Sequence, residues 1–309
     1  MDAKFFGVDV SKSKLDVGCD GRVVLVENSK KAIRAFARRM PVGSFVALEA
    51  TNTYHLQMAD ICHSYGMRVF VINPRLTRRY REANGLRGHN DRMDALTLAR
   101  YIEREHDGLR AYVPLTADQR RLRTLVRRRW KLVGMRTKLV ESFGSMGELK
   151  RELNALVARI DALIAKLEFL IDKQLEGNAG RARIASIKGV GPVVSAVLVS
   201  DLDAYDFASA DAFVAYYGLD PAPNDSGRRV GQRKLSKQGQ RLGRAMLYNA
   251  AMAAVTSKAW RPLYDRCLAR GLKKVQALIV LARKIARTAW SIHKYGTTFQ
   301  QSRAYQALT

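Results

Sequence analysis

The chain is short of the residues that would staple it or anchor it. Its 309 residues include three cysteines, Cys19, Cys62 and Cys267, which lie far apart with no C-x-x-C pair. That excludes a disulfide framework and a structural zinc site, and it suits a reducing cytosol. The five histidines show no ligand spacing, and His89, beside two acids, reads as a surface loop residue. No run of about 18 apolar residues occurs, and the N-terminus has no basic-then-apolar signal pattern, so no membrane span is expected. Acid is scarce as well. Lys plus Arg number 54 against 28 Asp plus Glu, a formal net charge of +26. The excess is more than solubility needs and argues for a polyanionic partner, with nucleic acid a better fit than a membrane surface. The 47% of hydrophobic residues is enough for two domains with their own cores.

The shortage of acid is also local. None occurs between Asp118 and Glu141, while Arg120, Arg121, Arg123, Arg127, Arg128, Arg129, Lys131, Arg136 and Lys138 are basic. Leu122, Leu125, Val126, Leu132, Val133 and Leu139 interleave at roughly helical spacing. This predicts a helix with one apolar and one cationic side, suited to tracking phosphates. Met146, Leu149, Leu153, Leu156, Ile160, Leu163, Leu167 and Leu170 then alternate steps of three and four, as coiled-coil a and d positions do, with Val157, Ile164 and Ile171 widening the seam. Such a stripe must pack on something. Another protomer is the expected partner, and an intramolecular hairpin with the preceding basic helix is the rival. Gly177-Asn-Ala-Gly180 ends this helix and marks a boundary.

The N-terminal region reads as strands Lys4 to Val10, Leu15 to Cys19 and Arg22 to Glu27, with Asp20-Gly21 as a hairpin turn. A helix from Lys30 to Arg39, a strand from Ser44 to Glu49, a helix from about Thr53 to Tyr65 and a strand from Arg68 to Ile72 follow. A loop from Gly85 then enters a helix capped by Asn90 or Asp91, with Met93, Leu96, Leu98, Ala99 and Ile102 as its apolar face. The order predicts a mixed sheet covered by helices. Asp9 and Glu49 sit in apolar strands, where an unpartnered carboxylate is costly. Asp91 and Asp94 are three apart and share a helix face. These four acids could be ordinary caps and salt-bridge partners. If they converge on one cleft they repel unless divalent cations neutralise them, and an all-oxygen set favours Mg²⁺ or Mn²⁺. Two such ions can clamp the oxygens of a phosphodiester in transit.

In the C-terminal part, Ile184-Ala-Ser-Ile-Lys-Gly-Val-Gly-Pro-Val resembles a helix-hairpin-helix. Lys188, Gly189 and Gly191 would bring a phosphate to the next helix's N-terminus. Such hairpins also serve purely for packing. After Asp225 no acid appears until Asp265. Ser226-Gly227 lies in that stretch, with Arg228, Arg229, Arg233, Lys237 and Arg244 following. A serine hydroxyl is a poor nucleophile until a base, a metal or dense positive charge favours its alkoxide. Arginine and lysine there can stabilise charge on a phosphate. Helices are expected over Leu242 to Val255, Trp260 to Arg270 and Lys273 to His293.

Val8-Asp9-Val10-Ser11-Lys12, Leu48-Glu49-Ala50-Thr51, Val71-Ile72-Asn73-Pro74 and Asn90-Asp91-Arg92-Met93-Asp94-Ala95 resemble the DEDD transposases of bacterial insertion sequences, relatives of the Piv DNA invertase. Gly218-Leu219-x-Pro221, Ser226-Gly227, Ser236-Lys237-x-Gly239 and Arg244 resemble the same recombinases' C-terminal domain. The resemblance runs from Asp9 to about Ser302. It implies an α/β N-terminal RNase H-like (RuvC-like) domain over residues 1–115. A basic helix and coiled-coil linker would follow over 116–178, then a mostly α transposase domain with the helix-hairpin-helix over 179–309. It implies Asp9, Glu49, Asp91 and Asp94 as a Mg²⁺-binding catalytic tetrad and Ser226 as nucleophile, with Ser236 in a structural or phosphate-contact role. By the same resemblance the chain is a homo-oligomeric recombinase, a dimer or tetramer with a composite site. It would join target and donor DNA under a guide (bridge) RNA, in the bacterial cytoplasm at the nucleoid. A metal-only nuclease of the junction-resolvase type, with water as nucleophile, and a nucleic-acid-binding protein with a dead site are the competing readings.

Overall fold

The computed structural model describes residues 3–85, 90–222 and 234–300, and the chain falls into two compact units, Met1–Pro114 and Leu115–Thr309. Unit one is built on a five-stranded sheet of order β3-β2-β1-β4-β5. Its strands are β1 (Phe5–Val10), β2 (Lys14–Cys19), β3 (Arg22–Glu27), β4 (Phe45–Glu49) and β5 (Arg68–Ile72). The first three form an antiparallel meander, and β4 and β5 run parallel to β1. Asp20 and Gly21 turn β2 into β3 with both φ angles positive, the conformation a two-residue hairpin turn requires.

Strand alternation sorts the side chains to two faces. Phe6, Val8, Val10, Leu15, Val17, Val46 and Leu48 face one core with α1 (Lys30–Ala37) and α2 (Leu56–Ser64). The opposite set includes Gly7, Asp9, Asp16, Gly18, Ala47 and Glu49, on the side covered by α4 (Asp91–Glu105). Leu98 and Ile102 of α4 are fully buried on this side with Ala47, Phe70 and Ile72. Each contributes roughly 1.5–3 kcal/mol from burial. A helix can lie this close only over small residues. A Cβ on Gly7 would stand 2.1 Å from the Ala95 carbonyl oxygen and 2.2 Å from the Ala99 nitrogen, and one on Gly18 2.9 Å from Ala95 backbone.

Two local readings need correction. Met93, expected on the apolar face of α4, is 38% exposed, and Ala95 takes its place in the core. Between β5 and α4 the structure also has a helix that was not expected, α3 (Pro74–Ala83), started by an Asn73 cap and Pro74 in its first turn.

Unit two is mostly helical. α5 (Ala117–Phe143) opens with a Thr116–Gln119 capping box and forms a hairpin with α6 (Lys150–Gln174). Here the expected pairing with another protomer is overturned for one side of the stripe. Leu153, Val157, Ile160, Ile164, Leu167 and Ile171 are buried or half-buried within the chain. Met146, Leu149, Leu156 and Leu163 stay exposed. Leu122, Val126, Ile171 and Leu175 join a core shared with α7 (Ala179–Ala185), α8 (Pro192–Leu202), α9 (Ala210–Tyr216), α10 (Arg241–Ala254), α11 (Arg261–Ala269) and α12 (Lys274–Tyr295). A short hairpin of β6 (Pro221–Ala222) and β7 (Lys234–Leu235) completes the unit.

The close seat of α4 makes Gly7→Ala a direct test. Overpacking against backbone that cannot yield should cost about 3 kcal/mol. Gly108→Ala, with nothing within 4 Å of the new methyl, should stay within about 0.5 kcal/mol of the parent. Urea denaturation of the two variants measures both.

Candidate metal centre and nucleic-acid surfaces

Asp9 ends one pleat beyond Gly7, and Asp16 lies directly opposite it across the β1–β2 pair. α4 starts beside them because Asn90 caps it, its side chain accepting from the Met93 N–H at 2.7 Å. That puts Asp91 at the first helical position and Asp94 in the first turn, where the helix dipole favours negative charge. The result is a cluster in which one carboxylate oxygen each of Asp9, Asp16 and Asp91 lies within 4.8 Å of the others. Glu49, at the end of the neighbouring β4, feels the charge of Asp9.

Two cations share this region. Lys14 places Nζ 2.6 Å from Asp91 Oδ2 and 3.6 Å from Asp16 Oδ2. Arg81 of α3, 5% exposed, forms an ion pair with Asp94. The carboxyls divide accordingly. Burial and the nearby Asp91 push Asp9 above the ordinary value of 3.8. Burial and Asp9 push Glu49 above 4.5, with Arg81 opposing. The Lys14 hydrogen bond holds Asp91 below the usual range. Of the four acids chosen from sequence, Asp9 and Asp91 therefore stand in one cluster, Glu49 adjoins Asp9, and Asp94 faces Arg81. Asp16, Lys14 and Arg81 were not foreseen. Asp16 follows from the short β1–β2 connection, which pairs residue 16 with residue 9. Arg81 follows from the Asn73-Pro74 helix start, two turns upstream.

The donor set fits a divalent metal. It holds only carboxylate oxygens, which suit hard cations such as Mg²⁺, Mn²⁺ or Ca²⁺ rather than zinc or copper. Burial first and a neighbouring carboxylate second raise Asp9 and Glu49, and a bound cation would oppose both effects.

The basic helix is less uniform in space than in sequence. Arg121, Arg127, Arg128, Lys131 and Lys138 of α5 are exposed. Arg129, expected at phosphate, is paired with Glu168 of α6 at 2.6 Å, and Arg136 with Asp161 at 2.6 Å. Arg120 Nε donates to the Leu115 carbonyl. Arg123 reaches the buried Asp201 of α8 at 2.5 Å, and Tyr217 donates to the same carboxylate at 3.0 Å.

Gly189 has φ 93°, and a Cβ there would meet Ala250 O at 2.6 Å, so packing against α10 requires the glycine. Lys188 is exposed while its carbonyl accepts from the Trp260 indole, and Gly191 caps α8 in open space. Ser236 donates to Asp220 at 2.6 Å, a structural contact. Arg244 donates to the Tyr217 carbonyl at 2.8 Å, and Lys237 stands at φ 51° in the turn after β7. His89, Ser226, Arg228, Arg229 and Arg233 lie outside the described residues.

Two protein-family models match, in order along the chain. One, described as a transposase of the DEDD type found in IS110, covers residues 6–146 and so contains Asp9, Asp16, Glu49, Asp91 and Asp94. The other, described as transposase IS116/IS110/IS902 family, covers residues 181–265. The chain belongs to the IS110-type insertion-sequence transposases. Its relatives include the pilin gene-inverting protein of Moraxella bovis, 26% identical over 82% of this chain and 81% of that protein. A protein of Pseudomonas aeruginosa named probable family 20 transposase is 28% identical over 97% and 99%. An insertion element IS900 protein of Mycobacterium paratuberculosis is 34% identical over 35% of this chain and 28% of its own length. The transposase is thus an enzyme of the DNA recombinase class. Among the described residues no helix is long and apolar enough to cross a membrane.

Removing Arg81 from this transposase leaves the half-buried Asp94 without this counter-charge. Arg81→Met should lose about 3–5 kcal/mol in chemical denaturation, and Arg81→Met/Asp94→Leu should regain most of it. Asp9 gives a pH signature. Its folded carboxyl titrates above 3.8, so the folded chain holds that proton longer than the unfolded chain and loses stability as pH rises through the interval between the two values. Without metal, Asp9→Asn should therefore be stabilised relative to the parent, by more near neutral pH than at about pH 4, as followed by melting temperature.

Proposed function

We propose that this transposase is a site-specific recombinase that cuts and rejoins DNA through a phosphoserine link, at an RNase H-like centre formed by Asp9, Glu49, Asp91 and Asp94. The observation that carries the reading is the clustering of Asp9 and Asp16 of the sheet with Asp91 of α4, inside the segment that matches the DEDD transposases. The sheet order, three antiparallel strands followed by two parallel to the first, supports the RNase H-like assignment. These carboxylates would hold Mg²⁺, which when bound offsets their repulsion and stabilises the negative charge that develops on phosphate oxygens.

In the chemical step Ser226 Oγ attacks the phosphorus of a phosphodiester, and its proton passes to the deoxyribose oxygen that leaves. One P–O bond to a deoxyribose oxygen breaks as the Ser226–phosphorus bond forms. A hydroxyl end from the second DNA then attacks the same phosphorus, releases Ser226 and restores the diester. Bonds made and broken are alike, so no ATP is consumed. The exposed Arg121, Arg127 and Arg128 bind phosphates, as do Lys188, Arg228, Arg229, Arg233, Lys237 and Arg244, and the Gly189–Gly191 turn offers backbone N–H groups. Arg120 and Arg129 hold the helix in place. The two DNA partners are a target and a donor, and a guide RNA from the element pairs with both. The Moraxella protein's name, pilin gene-inverting, supports recombination at defined sites. The outer row Leu149, Leu156 and Leu163, exposed at seven-residue steps, joins protomers into a dimer or tetramer. The metal centre of one protomer then serves Ser226 of another, in the bacterial cytoplasm at the nucleoid.

The test is a denaturing gel of purified protein with Mg²⁺, labelled target and donor duplexes and the RNA flanking the element. A protease-sensitive, protein-sized adduct is expected from the parent and should be absent from Ser226→Ala. Asp9→Asn should lower adduct formation by at least about a hundredfold. Free cut ends formed equally by the parent and Ser226→Ala would replace serine attack with hydrolysis by water.

A further inference from the structure

Lys14 opens β2, an inner strand paired on both sides, and its side chain is exposed. Directly across the β2–β3 pair from it stands Glu27, an exposed carboxylate and its natural cross-strand partner. The ammonium turns the other way, to Asp91 at 2.6 Å and Asp16 at 3.6 Å, two of the three clustered carboxylates. It also lowers the charge felt at Asp9. It therefore holds two of the three carboxylates that a shared cation would take. The second cation of the region behaves differently. Arg81 is buried and committed to Asp94 and so cannot leave without an energetic loss, whereas the Lys14 side chain is 45% exposed and borders an open cleft of about 630 Å³.

Resting on the metal-centre reading above, we propose that Lys14 is a displaceable internal counter-ion that competes with the divalent cation for Asp91 and Asp16. A monovalent ammonium offsets part of the repulsion and keeps the cluster folded before metal arrives. A divalent cation that binds Asp9, Asp16 and Asp91 must evict it. Glu27 provides a second seat two residues along the strand pair from Leu25, so the displaced charge remains partnered and the exchange costs little. Asp16 enters the centre as an additional acid, since its carboxylate is one of the two that Lys14 gives up. The arrangement sets metal affinity below what the bare acids would give, so that the centre fills when metal and DNA phosphate arrive together.

Isothermal titration with Mn²⁺ alone, without nucleic acid, tests this on the full-length protein. Lys14→Met should bind Mn²⁺ about threefold to tenfold more tightly than the parent, as expected for removing an exposed ion pair from a shared site. Lys14→Arg should restore the parent's weaker affinity, and Asp16→Asn should weaken binding. Circular dichroism melts confirm that each variant is folded, and a loss of fold could not in any case tighten binding. If the parent binds Mn²⁺ and Lys14→Met binds it equally or more weakly, the counter-ion role is overturned. If the folded parent takes up no Mn²⁺ and Lys14→Met takes up none either, the metal-centre reading itself fails. Uptake by Lys14→Met alone would be the extreme form of the competition.

Discussion

Like charges held close together are the constraint on which the N-terminal unit depends. Carboxylates a few ångströms apart in a partly buried site repel one another, and left to themselves they would separate or take up protons. The chain prevents separation by geometry. Asp9, Asp16 and Glu49 are fixed by strand pairing, and Asp91 and Asp94 by a helix whose backbone rests on Gly7 and Gly18. The same alternation that sends Val8, Val10, Leu15, Val17 and Leu48 to the opposite core sends the acids to the α4 side. Hydrophobic burial on one face thereby supplies the free energy that holds charge together on the other.

Two different kinds of counter-charge follow from that constraint. Arg81 is buried and hence permanent, because breaking a buried pair leaves an uncompensated charge. Lys14 is half in solvent, in the range where ion pairs contribute little and exchange readily. The C-terminal unit holds both kinds, the buried one being the pair of α5 with α8. Arg123 and Asp201 are both withdrawn from solvent, and Tyr217 adds a hydrogen bond to the same carboxylate. This pair ties α5 to α8, and Arg129–Glu168 and Arg136–Asp161 tie it to α6.

Much of unit one was legible in the sequence because its signals are local. Strand alternation, the Asp20-Gly21 turn and the Asn90 cap each act within a few residues and agree with one another. The four acids could be named for the same reason, since each ends an apolar strand or opens a helix. Arg81 escaped because it belongs to a helix poor in apolar residues, where periodicity gives little signal and the Asn73-Pro74 start is the main clue. Lys14 and Asp16 escaped because their meaning depends on which strands pair and in what register. The heptad stripe was read correctly as a packing surface but not as a divided one. Its inner row, from Leu153 to Ile171, meets α5, and the step of seven from Leu149 to Leu163 stays outside. Only the second helix's position separates the rows. The run of basic residues misled in a similar way. Freedom from acid along the sequence does not mean freedom from acid in space, and Asp161, Glu168 and Asp201 neutralise every second turn or so of α5.

The net charge of +26 acquires a more specific meaning in this light. On the proposed function, a DNA phosphate approaching Asp9, Asp16 and Asp91 would meet three clustered carboxylates, so the cluster by itself would repel it. On the proposed function attraction must come from elsewhere on the chain, and exposed cations such as Arg121, Arg127 and Arg128 would supply it. At contact that long-range pull no longer suffices, because the local field is negative. A cation within the cluster then decides whether phosphate can enter. A lysine that half-satisfies the cluster keeps the fold intact without making the centre attractive, and a divalent ion reverses the sign of the local field. On the proposed reading, a net charge of +26 combined with the Asp9, Asp16 and Asp91 cluster would make phosphate entry conditional on the metal while leaving general attachment to nucleic acid unconditional.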